Sequence, residues 1–97
     1  MSHADSPTKL SEHIEKVITN LGQRRNYLGW KVVQEWPEIV GERIARISQA
    51  ERFDDGSLFV RVEKEAWRQS LSQEQELLLG AIARAVGEGI VRRIHFR

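Results

Sequence analysis

The three histidines are the side chains of this sequence best suited to hold a metal ion or transfer a proton. His3 stands near the N-terminus, His13 in a segment of helical periodicity and His95 in the last alternating segment, so they lack metal-ligand spacing. Glu12 and Glu15 flank His13, but neighbouring positions of a helix point in different directions. These residues favour a solvated helix face over a catalytic or metal site.

Other candidates for catalysis do not match a recognisable arrangement. The segment 87–89 (Gly-Glu-Gly) precedes a predicted strand, whereas a phosphate-binding loop opens a helix. The serines have no histidine and aspartate partners in a known motif. The absence of cysteine excludes Cys nucleophiles, thiolate zinc sites and disulfides. We therefore expect no enzyme, cofactor, metal site or small-molecule substrate.

The basic residues are concentrated in two parts of the chain, although the net charge is only +1. Residues 24–47 carry five basic and three acidic groups, and residues 81–97 carry four basic and one. A local excess of cations is the expected footprint of a phosphate-binding surface. The pair Arg24 and Arg25 is a weaker indication, because adjacent cations at a helix start are commonly solvated.

Helical periodicity dominates the first half of the chain. Apolar residues recur at helical spacing over residues 10–21, and Gly22 is expected to end this helix. A second helical stretch covers residues 26–36, where Pro37 either kinks it or starts a new helix. Residues 38–47 then continue as a short helix.

A β-hairpin is predicted after residue 48. Residues 50–53 are extended, residues 54–56 (Asp-Asp-Gly) form a turn, and residues 57–63 alternate with a period of two. Phe59 and Arg61 should point away from the core. The core-facing residues of this hairpin are Leu58, Val60 and Val62.

Two more helices and a last strand complete the pattern. Residues 65–70 form a short helix, and Ser72 with Gln75 fits a capping box that restarts a longer one. The apolar stripe of that longer helix is Leu77, Leu78, Ala81, Ile82, Ala85 and Val86. Residues 90–97 are predicted to form a last strand. Its inward residues are Ile94 and Phe96, and its outward residues are Arg93, His95 and Arg97.

This order of elements predicts an α+β fold in which helices cover one face of a three-stranded sheet. By parity, the open face of the sheet carries Phe59, Arg61, Arg93, His95 and Arg97. Cations favour phosphates and an unstacked base can lie on an aromatic ring, so this face is a candidate single-strand surface. Strands also commonly expose arginine to solvent, and that alternative stays open.

The tryptophans divide between core and surface. Trp36 and Trp67 continue apolar stripes and are expected in the core. Trp30 is expected to be partly exposed, where tryptophan can anchor a protein partner.

Four segments resemble the bacterial DciA family, and their order and spacing are specific when taken together. They are residues 36–45 (WPEIVGERIA), 55–62 (DGSLFVRV), 66–71 (AWRQSL) and 90–97 (IVRRIHFR). The resemblance covers about residues 10–97. Its matching residues are expected to determine the fold: Trp36, Gly41, Gly56, Leu58, Val60, Trp67 and Leu71.

The resemblance implies a KH-like domain with the type II order of elements, over residues 9–97, preceded by a flexible segment, residues 1–8. It also implies a factor that binds single-stranded or duplex DNA and assists the replicative helicase. A cytoplasmic, non-membrane location is expected separately, because the sequence has no cysteine, no signal-peptide core near its start and no apolar run of about 20 residues. The junction at residues 70–73 (Ser-Leu-Ser-Gln) has no G-x-x-G loop, so basic surfaces are the better candidates for nucleic-acid contact. The predicted contacts are Arg24, Arg25, Phe59, Arg61, Arg92, Arg93, His95 and Arg97.

Two alternatives remain open from the sequence. One is a protein-interaction module that does not touch nucleic acid, with its arginines serving solubility. The other is an RNA-binding KH-like protein.

Overall fold

A computed structural model describes the backbone of residues 7–97 and the side chains of residues 21–97. The side chains of His3 and His13, most of the predicted flexible segment 1–8 and the apolar positions 10–18 lie outside this description. The elements are α1 (Pro7–Gln34), α2 (Trp36–Val40), α3 (Glu42–Ala45), β1 (Ser48–Asp54), β2 (Ser57–Val62), α4 (Glu65–Gln73), α5 (Gln75–Val86) and β3 (Arg93–Phe96).

Helix α1 is continuous, so the predicted helix end at Gly22 is wrong. Glycine inside a helix costs only about 1 kcal/mol relative to alanine, and packing further along the helix can offset this. At Gly29 the helix backbone lies directly on Phe53 of β1, where a Cβ atom would overlap the ring. Val32, one turn beyond, is fully buried. These contacts hold the second half of α1 on the sheet.

The Trp36–Pro37 step starts a new helix, which was one of the two predicted outcomes. Proline suits the first turn of a helix because the amide hydrogen it lacks would have no partner there. The predicted single helix over residues 38–47 is wrong, because Gly41 with φ of 92° separates α2 from α3. The buried Trp36 indole donates a 3.0 Å hydrogen bond to Ser48 Oγ, which ties α2 to the start of β1.

The sheet has the order β1-β2-β3, with β1 antiparallel and β3 parallel to β2. Asp55 and Gly56 both have positive φ in the hairpin turn, as a two-residue turn between twisted strands requires. Because β2 and β3 run parallel, the chain between them must cross over, and α4 and α5 form this crossover. A bulge between Ala50 and Arg52 leaves Glu51 without a partner on β2.

Helices α1, α4 and α5 pack on the same face of the sheet and form the core with it. The predicted inward residues Leu58, Val60, Val62 and Ile94 are buried, at 0–5% exposure. The fold is therefore α+β with helices on one face, and its element order is the one that the DciA resemblance implies.

Three details of the crossover differ from prediction. Trp67 is 43% exposed while Leu71, one turn later, is buried, so the first turn of α4 lies at the margin of the core. Ser72 does not cap a helix, because α4 continues to Gln73 and Glu74 is the residue between the two helices. Leu77 is 71% exposed, because the adjacent Leu78 and Ile82 occupy the inward side of α5.

Candidate nucleic-acid interface

The face of the sheet opposite the helices carries a row of three planar side chains, one from each strand. Arg52 on β1 pairs with Phe59 on β2, and Phe59 pairs with His95 on β3. The Phe59 and His95 rings stack with centroids 4.8 Å apart and an angle of 15° between their planes. The Arg52 guanidinium lies over the Phe59 ring, with its central carbon 3.9 Å from the centroid.

Two arginines lie beside this row and share one carboxylate. Arg61 Nε is 3.8 Å and Arg97 Nη2 is 3.4 Å from the Glu51 carboxylate. Arg61 and Arg97 stay largely accessible, each 58% exposed, and the Glu51 side chain is half-buried between them. Ion pairs between such exposed groups contribute about 0–1 kcal/mol each, so an incoming phosphate can displace Glu51 at small cost.

Ser57, at the start of β2, contacts both Arg93 and His95 of the neighbouring strand β3. The Arg93 guanidinium lies 3.5 Å and His95 Nε2 lies 3.3 Å from Ser57 Oγ. Ser57 is buried at the start of β2, so it provides a fixed anchor for two exposed side chains of β3. The arrangement positions a ring and a guanidinium side by side on the edge strand.

The open face therefore brings together five of the eight predicted contact residues: Phe59, Arg61, Arg93, His95 and Arg97. Guanidinium groups are permanently charged and form forked hydrogen bonds that match phosphate oxygens. Four of them, including Arg52, surround the stacked rings. The arrangement combines cations for phosphates with planar groups for unpaired bases.

The other predicted contacts, Arg24, Arg25 and Arg92, do not join this face. Arg92 lies against the hairpin turn, where its guanidinium donates a 3.0 Å hydrogen bond to the Asp55 carbonyl oxygen. Arg25 lines the same cleft, between α1 and the turn. Arg24 is exposed on α1.

Sequence reasoning did not include Arg52 and Glu51 among the functional residues. Arg52 could have been identified, because it immediately precedes the inward Phe53 and alternation places it on the open face. Glu51 could not, because it occupies the bulge, where alternation is interrupted.

The solvent face of α1 exposes two aromatic residues. Tyr27 is 64% and Trp30 is 41% exposed, and their separation of three positions places them together on the helix surface. The expected partial exposure of Trp30 is confirmed. The sequence predicts both Trp36 and Trp67 in the core. The prediction is confirmed for Trp36, which is buried, and wrong for Trp67, which is exposed.

Within the described residues, no helix is long and apolar enough to cross a membrane. In the same part of the chain, no three acidic or histidine side chains are grouped closely enough to hold a metal ion.

Fold and surface together define a small α+β domain with an arginine-rich, aromatic open sheet face. The chain belongs to the DciA family: the family model described as "Dna[CI] antecedent, DciA" matches residues 9–96.

Curated relatives agree with this assignment. The chain is 31% identical over 85 residues to a UPF0232 protein of Corynebacterium glutamicum, covering 88% of this chain and 48% of the relative. It is 32% identical over 88 residues to one of Mycobacterium ulcerans, covering 87% and 47%, and 34% identical over 86 residues to one of Mycobacterium tuberculosis, covering 81% and 44%. The chain thus spans less than half the length of these relatives.

Proposed function

We propose that this domain is a non-enzymatic accessory factor that binds single-stranded DNA on its open sheet face and assists loading or recruitment of the bacterial replicative helicase. The observation that carries the DNA part is the Arg52–Phe59–His95 row flanked by Arg61, Arg93 and Arg97. Membership of the DciA family supports the helicase part. Such a factor acts in the cytoplasm, where the replicative helicase works.

The open face favours a nucleic acid over an acidic protein because it offers two kinds of contact at once. Arginines that neutralise phosphates provide affinity that does not depend on base sequence. Planar side chains provide stacking surfaces that any unpaired base can use. Arg24, Arg25 and Arg92 lie off this face and are proposed as outer phosphate contacts for a strand that continues past the hairpin turn.

Fluorescence anisotropy of labelled single-stranded DNA, titrated at low and moderate salt, tests the DNA part. The four arginines of the open face by themselves predict a slope of about −3 for log affinity against log salt, since each contact on a single strand contributes about −0.7, and the outer contacts would make the slope steeper. Duplex DNA and single-stranded RNA of equal length are measured in parallel. Tighter binding to RNA than to DNA would identify RNA as the ligand. An affinity that does not change with salt concentration would contradict the proposed phosphate contacts.

Size-exclusion chromatography with the replicative helicase of the same bacterium tests the helicase part. The domain is expected to co-elute with the helicase, or to increase the amount of helicase retained on a single-stranded DNA resin. Neither result would be obtained from a DNA-binding domain that has no helicase role.

A second candidate function is supported by the exposed aromatic residues of α1. Tyr27 and Trp30 could anchor a protein partner, since tyrosine and tryptophan are enriched at the energetic centres of interfaces. In that case the domain is a protein-interaction module without direct nucleic-acid contact. The double variant Arg93→Glu/Arg97→Glu separates the two functions, because it should weaken DNA binding at least about tenfold under the first and leave partner binding intact under the second.

A further inference from the structure

Both faces of the Phe59 ring are already occupied. Arg52 and His95 belong to strands on opposite sides of β2, so they approach the ring from opposite sides. The guanidinium carbon at 3.9 Å and the imidazole centroid at 4.8 Å leave no space on either face for a base. The free stacking surfaces of this row are therefore at its ends, and Phe59 supports them from the middle.

The end of the row at His95 lies on β3, which is one of the two edge strands of the sheet in the described part of the chain. One face of the imidazole rests on Phe59, and its Nε2 lies 3.3 Å from Ser57 Oγ. The orientation of the ring is thus set before any ligand arrives, while the side chain remains exposed. A fixed ring loses little conformational entropy when a ligand stacks on its outer face.

Two arginines flank His95 on the same side of the sheet, Arg93 at the start of β3 and Arg97 directly after its end. Arg93 and Arg97 each lie two positions from His95, a separation of about 6.6 Å at about 3.3 Å per residue. That distance is comparable to the step between phosphates of an extended single strand. Arg93 reaches Ser57 on β2, and Arg97 reaches Glu51 on β1 and lies 5.8 Å from the Phe59 centroid, so both guanidinium groups lean back over the sheet. A phosphate beside His95 would take the place of these exposed partners.

We infer that the outer face of His95 is the base-stacking site, and that Arg93 and Arg97 contact the phosphates on the two sides of the stacked nucleotide. This inference rests on the proposed DNA-binding function and specifies its ligand. The site takes an unpaired base, because the faces of bases inside a duplex are covered by their neighbours. Duplex DNA can place its phosphates on the arginines but cannot stack a base on the imidazole of His95.

A comparison of two short oligonucleotides of equal length, one normal and one fully abasic, measures stacking separately from phosphate contact. The wild-type domain is expected to bind the normal strand at least about fivefold more tightly, since stacking of one base on an aromatic ring contributes about 1 kcal/mol or more. In His95→Ala this preference should disappear, while affinity for the abasic strand stays the same. In His95→Tyr, which keeps a ring, the preference should be retained.

Arg52→Lys is the matched control, because it removes the planar group at the other end of the row and keeps its charge. It should leave the preference for bases unchanged, and circular dichroism should show all three variants folded. If Arg52→Lys abolishes the preference and His95→Ala does not, the base stacks at the Arg52 end of the row, and the assignment of the stacking site to His95 is wrong. Equal wild-type affinity for the two strands would overturn the stacking site but not phosphate binding, whereas no binding to either strand would overturn the proposed function.

Discussion

The two faces of the sheet are built from alternating residues of the same strands, but their side chains are stabilised in different ways. On the covered face, Leu58 and Val60 of β2 are completely buried against the helices. On the open face, Phe59 of the same strand stacks against His95 of β3, and Arg61 pairs with Glu51 of β1. The covered face therefore supplies the stability of the domain, and substitutions on the open face can change its ligands without unfolding it.

Truncation of a covered residue tests this division most strongly. Leu58→Ala is expected to lower the free energy of unfolding by about 2–5 kcal/mol, because it leaves a cavity among packed side chains. Urea denaturation followed by circular dichroism measures the change. The matched control is Arg61→Ala on the opposite face of the same strand, which should change stability by less than about 1 kcal/mol. Similar losses for both variants would contradict the division.

Charge reversal on the open face should give the next largest effect. Arg93→Glu/Arg97→Glu is expected to weaken single-stranded DNA binding at least about tenfold and to reduce the salt slope by about 1.4, since two phosphate contacts are lost. Anisotropy at several salt concentrations measures both quantities. The unfolding midpoint should stay close to that of the wild type.

The control for this reversal makes the same charge change on the helical layer. Arg43→Glu/Arg84→Glu alters two exposed arginines on α3 and α5, outside the open face. An equal loss of affinity in both double variants would mean that net charge, and not the open face, determines binding.

Removal of the shared carboxylate should strengthen binding. Glu51→Gln is expected to raise affinity for single-stranded DNA by up to about fivefold, because Arg61 and Arg97 no longer pair with an anion and such exposed pairs contribute up to about 1 kcal/mol. The measurement is the same titration. Weaker binding in this variant would instead assign Glu51 a role in positioning the two arginines.

The cleft at the hairpin turn should contribute least. Arg25→Ala/Arg92→Ala is expected to weaken binding by only about twofold, because Arg92 already pairs with Asp55 and an exposed cation outside the main surface adds little. Arg61→Ala/Arg97→Ala, measured beside it, should have the larger effect. The reverse order would move the centre of the interface from the open face to the cleft.

The sequence by itself determined which side chains belong to each face of the sheet. Alternation over residues 57–63 and 93–97 placed Leu58, Val60 and Ile94 inward and Phe59, His95 and Arg97 outward, and the structure agrees. The predicted start of the last strand at residue 90 is wrong, because β3 begins at Arg93. The Asp-Gly turn marked the hairpin in the same way. These features are local, because the two-residue period of a strand and the positive φ of a turn depend on neighbouring residues alone.

Only the tertiary structure decided how these elements meet. Helix α1 continues past Gly22, and we attribute this to the packing of Gly29 on Phe53, which lies twenty-four residues further along the chain. The residues around Gly22 do not predict this contact. The stacking of Arg52 and His95 on both faces of Phe59 depends on the register of three strands and on a bulge in one of them. Contacts between distant parts of the chain are set by packing of the whole domain, so a pattern of residue types predicts the composition of a surface but not the geometry of its site.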